Sequence, residues 1–235
     1  MAARPKKTPD PQPAPLLQSL DLLETIYGRT RFIPRFDPME ELISCILSQS
    51  SSDSSSFPAF TRLRAAFPDW LAMAQAPPEE ITPLIKAAGL ANQKTKAIQS
   101  CLNEIYARLG SFDLELLRSM PEPEAMKWLT SLAGVGPKTA SIVLCFAFGR
   151  AAIPVDTHVH RVSQRLGWIS LKTNETKAHK ELSAMVPAQD AWRFHTLLIQ
   201  HGRLICKAPK PICSECPLID LCPKQGLARA SASKR

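Results

Sequence analysis

From residue 16 to residue 206 the apolar residues of this chain recur three and four apart, segment after segment, and nowhere alternate with polar ones. That period admits helices and leaves no material for a sheet. LLQSLDLLETIYG places Leu17, Leu20, Leu23 and Tyr27 at helical spacing. DPMEELISCILSQS opens with Asp37 as an N-cap and Pro38 at the first helical position. NQKTKAIQSCLNEIYARLG starts at Asn92, carries Ile98, Cys101, Leu102, Ile105 and Leu109, and stops at Gly110. EAMKWLTSL, TASIVLCFAF, DTHVHRVSQRLGW, a polar stretch near 174–185 and DAWRFHTLLIQHGRLIC continue the series, and the segment 139–148, apolar all round, predicts a buried central helix. The expected fold class is all-α, with about ten short helices and no internal repeat.

Two ends fall outside that pattern. Residues 1–15 hold five prolines and 225–235 are small and polar, so both are expected to be disordered. No apolar run approaches the ~20 residues of a membrane span, and the N-terminus lacks the apolar region of a secretory signal. A cytoplasmic protein with reduced thiols is therefore expected, with no membrane partner. The net charge of +8 is uneven: Ala191–Arg235 holds eight basic residues against Glu215 and Asp220, which is +6. Such a patch favours a polyanion slightly over simple solubility charge.

LAGVGPKTA, residues 132–140, joins two helices through a turn containing Gly134, Val135 and Gly136. Glycines there permit positive φ and leave amides unobstructed, and Pro137 opens a helix whose N-terminal amides form an anion site suited to a DNA phosphate. A tight interhelical turn is the plainer reading. Lys138 follows, where a lysine can simply neutralise phosphate. Eighteen residues on, Asp156 precedes Thr157 at a helix start, where capping is the ordinary role for an aspartate. His158 and His160, two apart, lie on different helix faces and do not form a paired metal site.

Seven cysteines divide into Cys45, Cys101 and Cys145, set inside apolar helices, and a quartet spaced Cys206-x6-Cys213-x2-Cys216-x5-Cys222. Four thiolates can close a tetrahedral zinc site, but zinc sites usually carry two CxxC pairs, and one is present here. A compact loop around an iron–sulfur cubane suits the spacing better.

LAGVGPKTA, PVDTHVHRV, IQHGRLIC and the quartet, in this order, resemble the endonuclease III family of DNA base-excision glycosylases from about Leu16 to Pro223. The resemblance implies one 4Fe-4S cluster on Cys206, Cys213, Cys216 and Cys222, with a structural role, and a DNA-contacting loop carrying Lys207 and Lys210, Lys210 at the family's basic position. It places Lys138 and Asp156 on the catalytic lysine and aspartate. A helix N-terminus and exclusion of water would both favour a nucleophilic amine there. The implied activity is a bifunctional DNA glycosylase/AP lyase acting as a monomer on double-stranded DNA with damaged bases, oxidised pyrimidines above all, or abasic sites. The adenine-specific and thymine-mismatch glycosylases of the superfamily lack that lysine; a non-catalytic cluster-bearing DNA-binding module is the reading from another class.

By the same analogy, 36–137 form a helical barrel, while 16–35 and 138–224 form a four-helix cluster domain, with Lys138 and Asp156 on opposite walls of a groove. The sequence departs from the family at its two wedge loops. Where the family reads LSAQATD this chain reads LSQSSSD, which sets Ser50 at the wedge glutamine and Gln49 one step before it; where the family reads GLYNSKA this chain reads GLANQKT, keeping Leu90 but replacing the aromatic by Ala91. A serine-rich loop, SSSFPAF, follows Asp53. Altered or weakened lesion selection is the expectation.

Overall fold

The computed structural model describes residues 12–29 and 31–227. Its described residues are helical with no strand, as the apolar spacing predicts. The chain forms two compact units: one is Phe32–Pro154, and the other joins the segment up to Arg31 with the segment from Val155 onward.

The first unit is built on α2 (Pro38–Ser48) and α9 (Pro137–Phe148), which pack directly together. Asp37 caps α2 by accepting the Glu40 amide at 2.9 Å, with Pro38 at the first position. Around the pair run α3 (Asp53–Ala66), α4 (Trp70–Gln75), α5 (Pro78–Ile85), α6 (Ala91–Leu109), α7 (Leu116–Ser119) and α8 (Glu122–Thr130). Leu42, Ile46, Leu63, Ile98, Leu102, Leu129 and Leu144 meet in one continuous core. Inside it Glu41, fully buried, takes the Arg35 guanidinium at 2.5 Å. A buried carboxylate needs such a partner.

Three expectations change here. α9 belongs to this unit, so the second boundary lies after Pro154 rather than at 137/138; a helix apolar on every side is enclosed by its neighbours, and those neighbours are α2, α7 and α8. The serine-rich stretch after Asp53 is not a loop but the first turn of α3, with Pro58 inside the helix. α6 begins at Ala91, and the residue before it, Leu90, sits in left-handed backbone (φ 51°).

The second unit contains α1 (Leu16–Tyr27), α10 (Thr157–Arg165), α11 (Glu175–Met185) and α12 (Ala191–Leu204), followed by an irregular loop through Leu227. α12 is its centre, packed by α1 and α10. Gly202 makes the α10–α12 approach possible, because a Cβ there would lie 2.9 Å from the Cβ of His158. Arg193 on α12 is ringed by Asp21 (2.5 Å), Glu24 (3.0 Å) and Asp190 (3.3 Å). It therefore fastens α1 to α12 and contributes nothing to the basic patch counted from sequence.

The disorder expected of the ends divides similarly. Residues 1–11 and 228–235 lie outside the described residues. The short run Gln12–Pro15 does not trail free: the Ala14 amide donates to Leu166 (2.9 Å) and the Trp168 indole donates to the Ala14 carbonyl (2.6 Å). Gln225 likewise donates its amide to Arg165, at 3.1 Å.

Candidate active site and cysteine loop

α8 and α9 are joined by the hairpin that LAGVGPKTA predicts. Gly134 has φ 75°, and a Cβ there would stand 3.0 Å from Ala97 Cβ, so the fold itself requires glycine. Gly136 differs from expectation. Its φ of −92° is ordinary extended backbone, and a Cβ would meet nothing within 4 Å. Nothing in the unit's own packing demands glycine there. Val135 is buried, with its amide donated to Leu132 (3.2 Å). No side chain caps α9, so its first-turn amides and positive dipole end remain available to an anion.

Lys138, on that first turn, is exposed and forms no ion pair among the described residues. It lines an open cleft of about 330 Å³ with Cys45, Ser48, Gln49, Ser50, Ser51, Ser52, Thr139 and Ile142. The water-excluding wall expected around the lysine is not supplied by this unit.

Gln49, though exposed, lies against the hairpin: its Nε2 donates to the Gly134 carbonyl at 2.7 Å and to Thr139 Oγ1 at 3.3 Å. It braces the hairpin from the end of α2. Ser50 is exposed with φ 54°, and Leu90 is 55% exposed with φ 51°. These are two non-glycine residues in a conformation that costs energy, each at the head of a turn. Beneath them Lys94 links the turns through Ser51 and Ala88. Sequence reading does not single out Lys94, although its spacing to Ile98, Cys101, Leu102 and Ile105 places a lysine on an apolar helix face.

In the other unit Asp156 caps α10 as its position suggests, accepting the amides of His158 (2.9 Å) and Val159 (2.7 Å), both on Oδ1. The two histidines point to different partners: His158 Nδ1 lies 3.1 Å from Arg161 Nη2, and His160 Nε2 donates to the Thr173 carbonyl at 2.7 Å.

The four loop cysteines line one cavity, with Val162, Arg165, His201, Ile205 and Leu218 among its other walls. Among the described residues no three His, Cys, Asp or Glu side chains converge closely enough to hold a single metal ion. Arg165 Nη1 donates to the Cys206 sulfur at 3.3 Å and to the carbonyls of Cys206 and Lys207. His201, pushed down to about 4 by burial, is neutral at pH 7. The Tyr27 hydroxyl lies 3.1 Å from its Nδ1, and Nε2 faces the Cys216 sulfur at 3.6 Å. Burial, and then the neighbouring thiols, push Cys216 up to about 11. Burial likewise pushes Cys222 up, so holding these two as thiolates takes positive charge nearby. Arg165 and His201 escape sequence reading; a histidine one turn before Cys206 is the only signal. Lys207 and Lys210 stand exposed on the loop.

Residues 43–188 match the model of the HhH-GPD superfamily of base excision DNA repair proteins. The chain belongs to that superfamily. Among HhH-GPD relatives, endonuclease III of Synechocystis is 36% identical over 204 residues, covering 86% of this chain and 89% of its own. A solved non-covalent endonuclease III–DNA complex superposes with a TM-score of 0.76 at 30% identity, covering 88% of this chain and 93% of that one. A trapped endonuclease III–DNA covalent intermediate superposes with a TM-score of 0.75, at the same identity and coverage. As an HhH-GPD protein with these relatives, the chain is a DNA glycosylase of base excision repair.

Proposed function

We propose that the chain is a bifunctional glycosylase and AP lyase that removes oxidised pyrimidines from duplex DNA. The observation that carries this reading is Lys138: an exposed amine, free of any ion pair among the described residues, lining an open cleft at the uncapped N-terminus of α9. Phosphate would settle on the hairpin amides, with Gly136 leaving room for close backbone approach. The damaged nucleotide must leave the stack to be reached. Lys138 Nζ then attacks deoxyribose C1′, the glycosidic electrons leave with the base, and the sugar ring opens to a protonated imine. Loss of a C2′ proton expels the 3′ phosphate and cuts the strand. Asp156 stabilises positive charge developing at C1′ and carries protons, with Oδ2 free of the capping bonds.

The loop of Cys206, Cys213, Cys216 and Cys222 fits a 4Fe-4S cluster. A mononuclear ion needs ligands converging on one point, whereas a cubane takes one thiolate at each of four irons. The cluster supplies charge balance and holds the loop in shape, so that Lys207 and Lys210 face DNA phosphates. Lesion choice is narrowed, since Gln49 is committed to the hairpin and Ser50 is too short to fill a vacated base position. The enzyme works as a monomer in the cytoplasm.

Single-turnover cleavage of an abasic duplex and a thymine glycol duplex tests this reading. Cutting of the abasic strand supports it, while retardation of both without cutting would identify a binding module. Broad activity across oxidised pyrimidines would remove the narrowed selection and leave the lyase standing.

A further inference from the structure

Lys94 has no part in that chemistry, yet it is a lysine 4% exposed on the first turn of α6. No carboxylate pairs with it among the described residues. Its Nζ donates to Ser51 Oγ at 2.6 Å and to the Ala88 carbonyl at 2.8 Å. Ser51 Oγ also donates to the Ala88 carbonyl, which closes a three-membered polar knot. Burial lowers the lysine's hold on its proton. An interior cation without a counter-ion is costly to keep, and a methionine would fill the same volume.

What the knot joins is specific. Ser51 follows Ser50 (φ 54°) on the turn between α2 and α3, and Ala88 precedes Gly89 (φ 70°) and Leu90 (φ 51°) on the turn before α6. Both turns carry left-handed backbone and an exposed residue, and strain of this kind persists only where surrounding structure over-determines it. Ser51 spans the two turns through its own bond to the Ala88 carbonyl, and Lys94 bonds to both ends of that link.

We propose that Lys94 is a positioning residue, a buried ammonium clamp that fixes the turns of Ser50 and Leu90 relative to each other so that they enter the duplex as one rigid pair. The role in extrusion rests on the glycosylase reading; the clamp itself does not.

Two variants test it, Lys94→Met, which keeps the length without the donors, and Ser51→Ala, which removes the shared hydroxyl and serves if the first does not fold. Hydrogen exchange should show the amides of residues 50–52 and 89–91 opening about tenfold faster, with those in α2 and α9 unchanged. In single-turnover assays of Lys94→Met, excision of a paired lesion should fall about tenfold while cleavage at an abasic site in single-stranded DNA stays within about twofold. Unchanged loop exchange overturns the clamp. So does uniformly faster exchange with equal loss on both substrates, which would mean a merely structural lysine. Wild type inert on every DNA, with variant loops loosened, would sink the glycosylase reading and leave the clamp in place.

Discussion

The two oxygens of Asp156 separate its capping role from the proposed catalytic one. Oδ1 takes both capping amides of α10, so the ordinary reading of the sequence is correct and does not compete with catalysis. Asparagine caps almost as well as aspartate but cannot stabilise positive charge. Asp156→Asn should therefore melt like wild type while single-turnover excision falls about 100-fold or more. Asp156→Ala should lose about 0.5–2 kcal/mol of stability as well. An Asn variant that excises at the wild-type rate would reduce Asp156 to a cap. Thiol chemistry separates the cysteines at the same scale. Cys101 and Cys145 have no exposed surface, and burial pushes each up to about 12. Both should resist alkylation at pH 8 until the protein unfolds, as read by mass spectrometry of the labelled peptides; labelling in the folded protein would contradict that burial. The apolar context of these two is plain in the sequence, because local spacing decides it. The neutralisation of Arg193 is not, since Asp21 and Glu24 stand about 170 positions away and only folding brings them together.

The hairpin is the element proposed to hold a DNA phosphate, and its two glycines answer to different demands. Gly134 serves the fold through a positive φ and the close approach of Ala97. Gly136 meets neither condition, so its lack of a side chain matters to what approaches from outside. Gly134→Ala should cost about 1–3 kcal/mol in denaturant unfolding. Gly136→Ala should unfold within about 0.5 kcal/mol of wild type yet bind duplex DNA more weakly in fluorescence anisotropy. Equal destabilisation by both would mean that the hairpin glycines serve folding alone. The motif itself, glycines, proline and flanking helices, was legible because every part is local. That Gln49 donates to the hairpin carbonyl from 85 residues away was not, because only folding brings the two turns together.

At the scale of the molecule, helical spacing predicts the class of fold but not its division. Periodicity shows that the segment 139–148 is buried without showing what buries it, and the partners turn out to be α2, α7 and α8. The quartet's spacing, by contrast, predicts a shared site, and the four thiols do line one cavity. Removing iron from the proposed cluster should leave the thiols of that cavity without charge balance and loosen the loop held by Arg165 and His201. Chelation is expected to lower the melting temperature and weaken DNA binding together; iron-free protein that binds and melts as before would show the loop to be self-supporting.

The central claim is that Lys138 is the nucleophile. It is tested most directly by borohydride trapping on duplexes with an abasic site or thymine glycol, using wild type and Lys138→Ala. A covalent protein–DNA adduct that forms with wild type and disappears in the variant is the predicted result. An adduct of equal yield in both would place the Schiff base on another amine, and no adduct from wild type, with DNA binding intact, would contradict the lyase altogether.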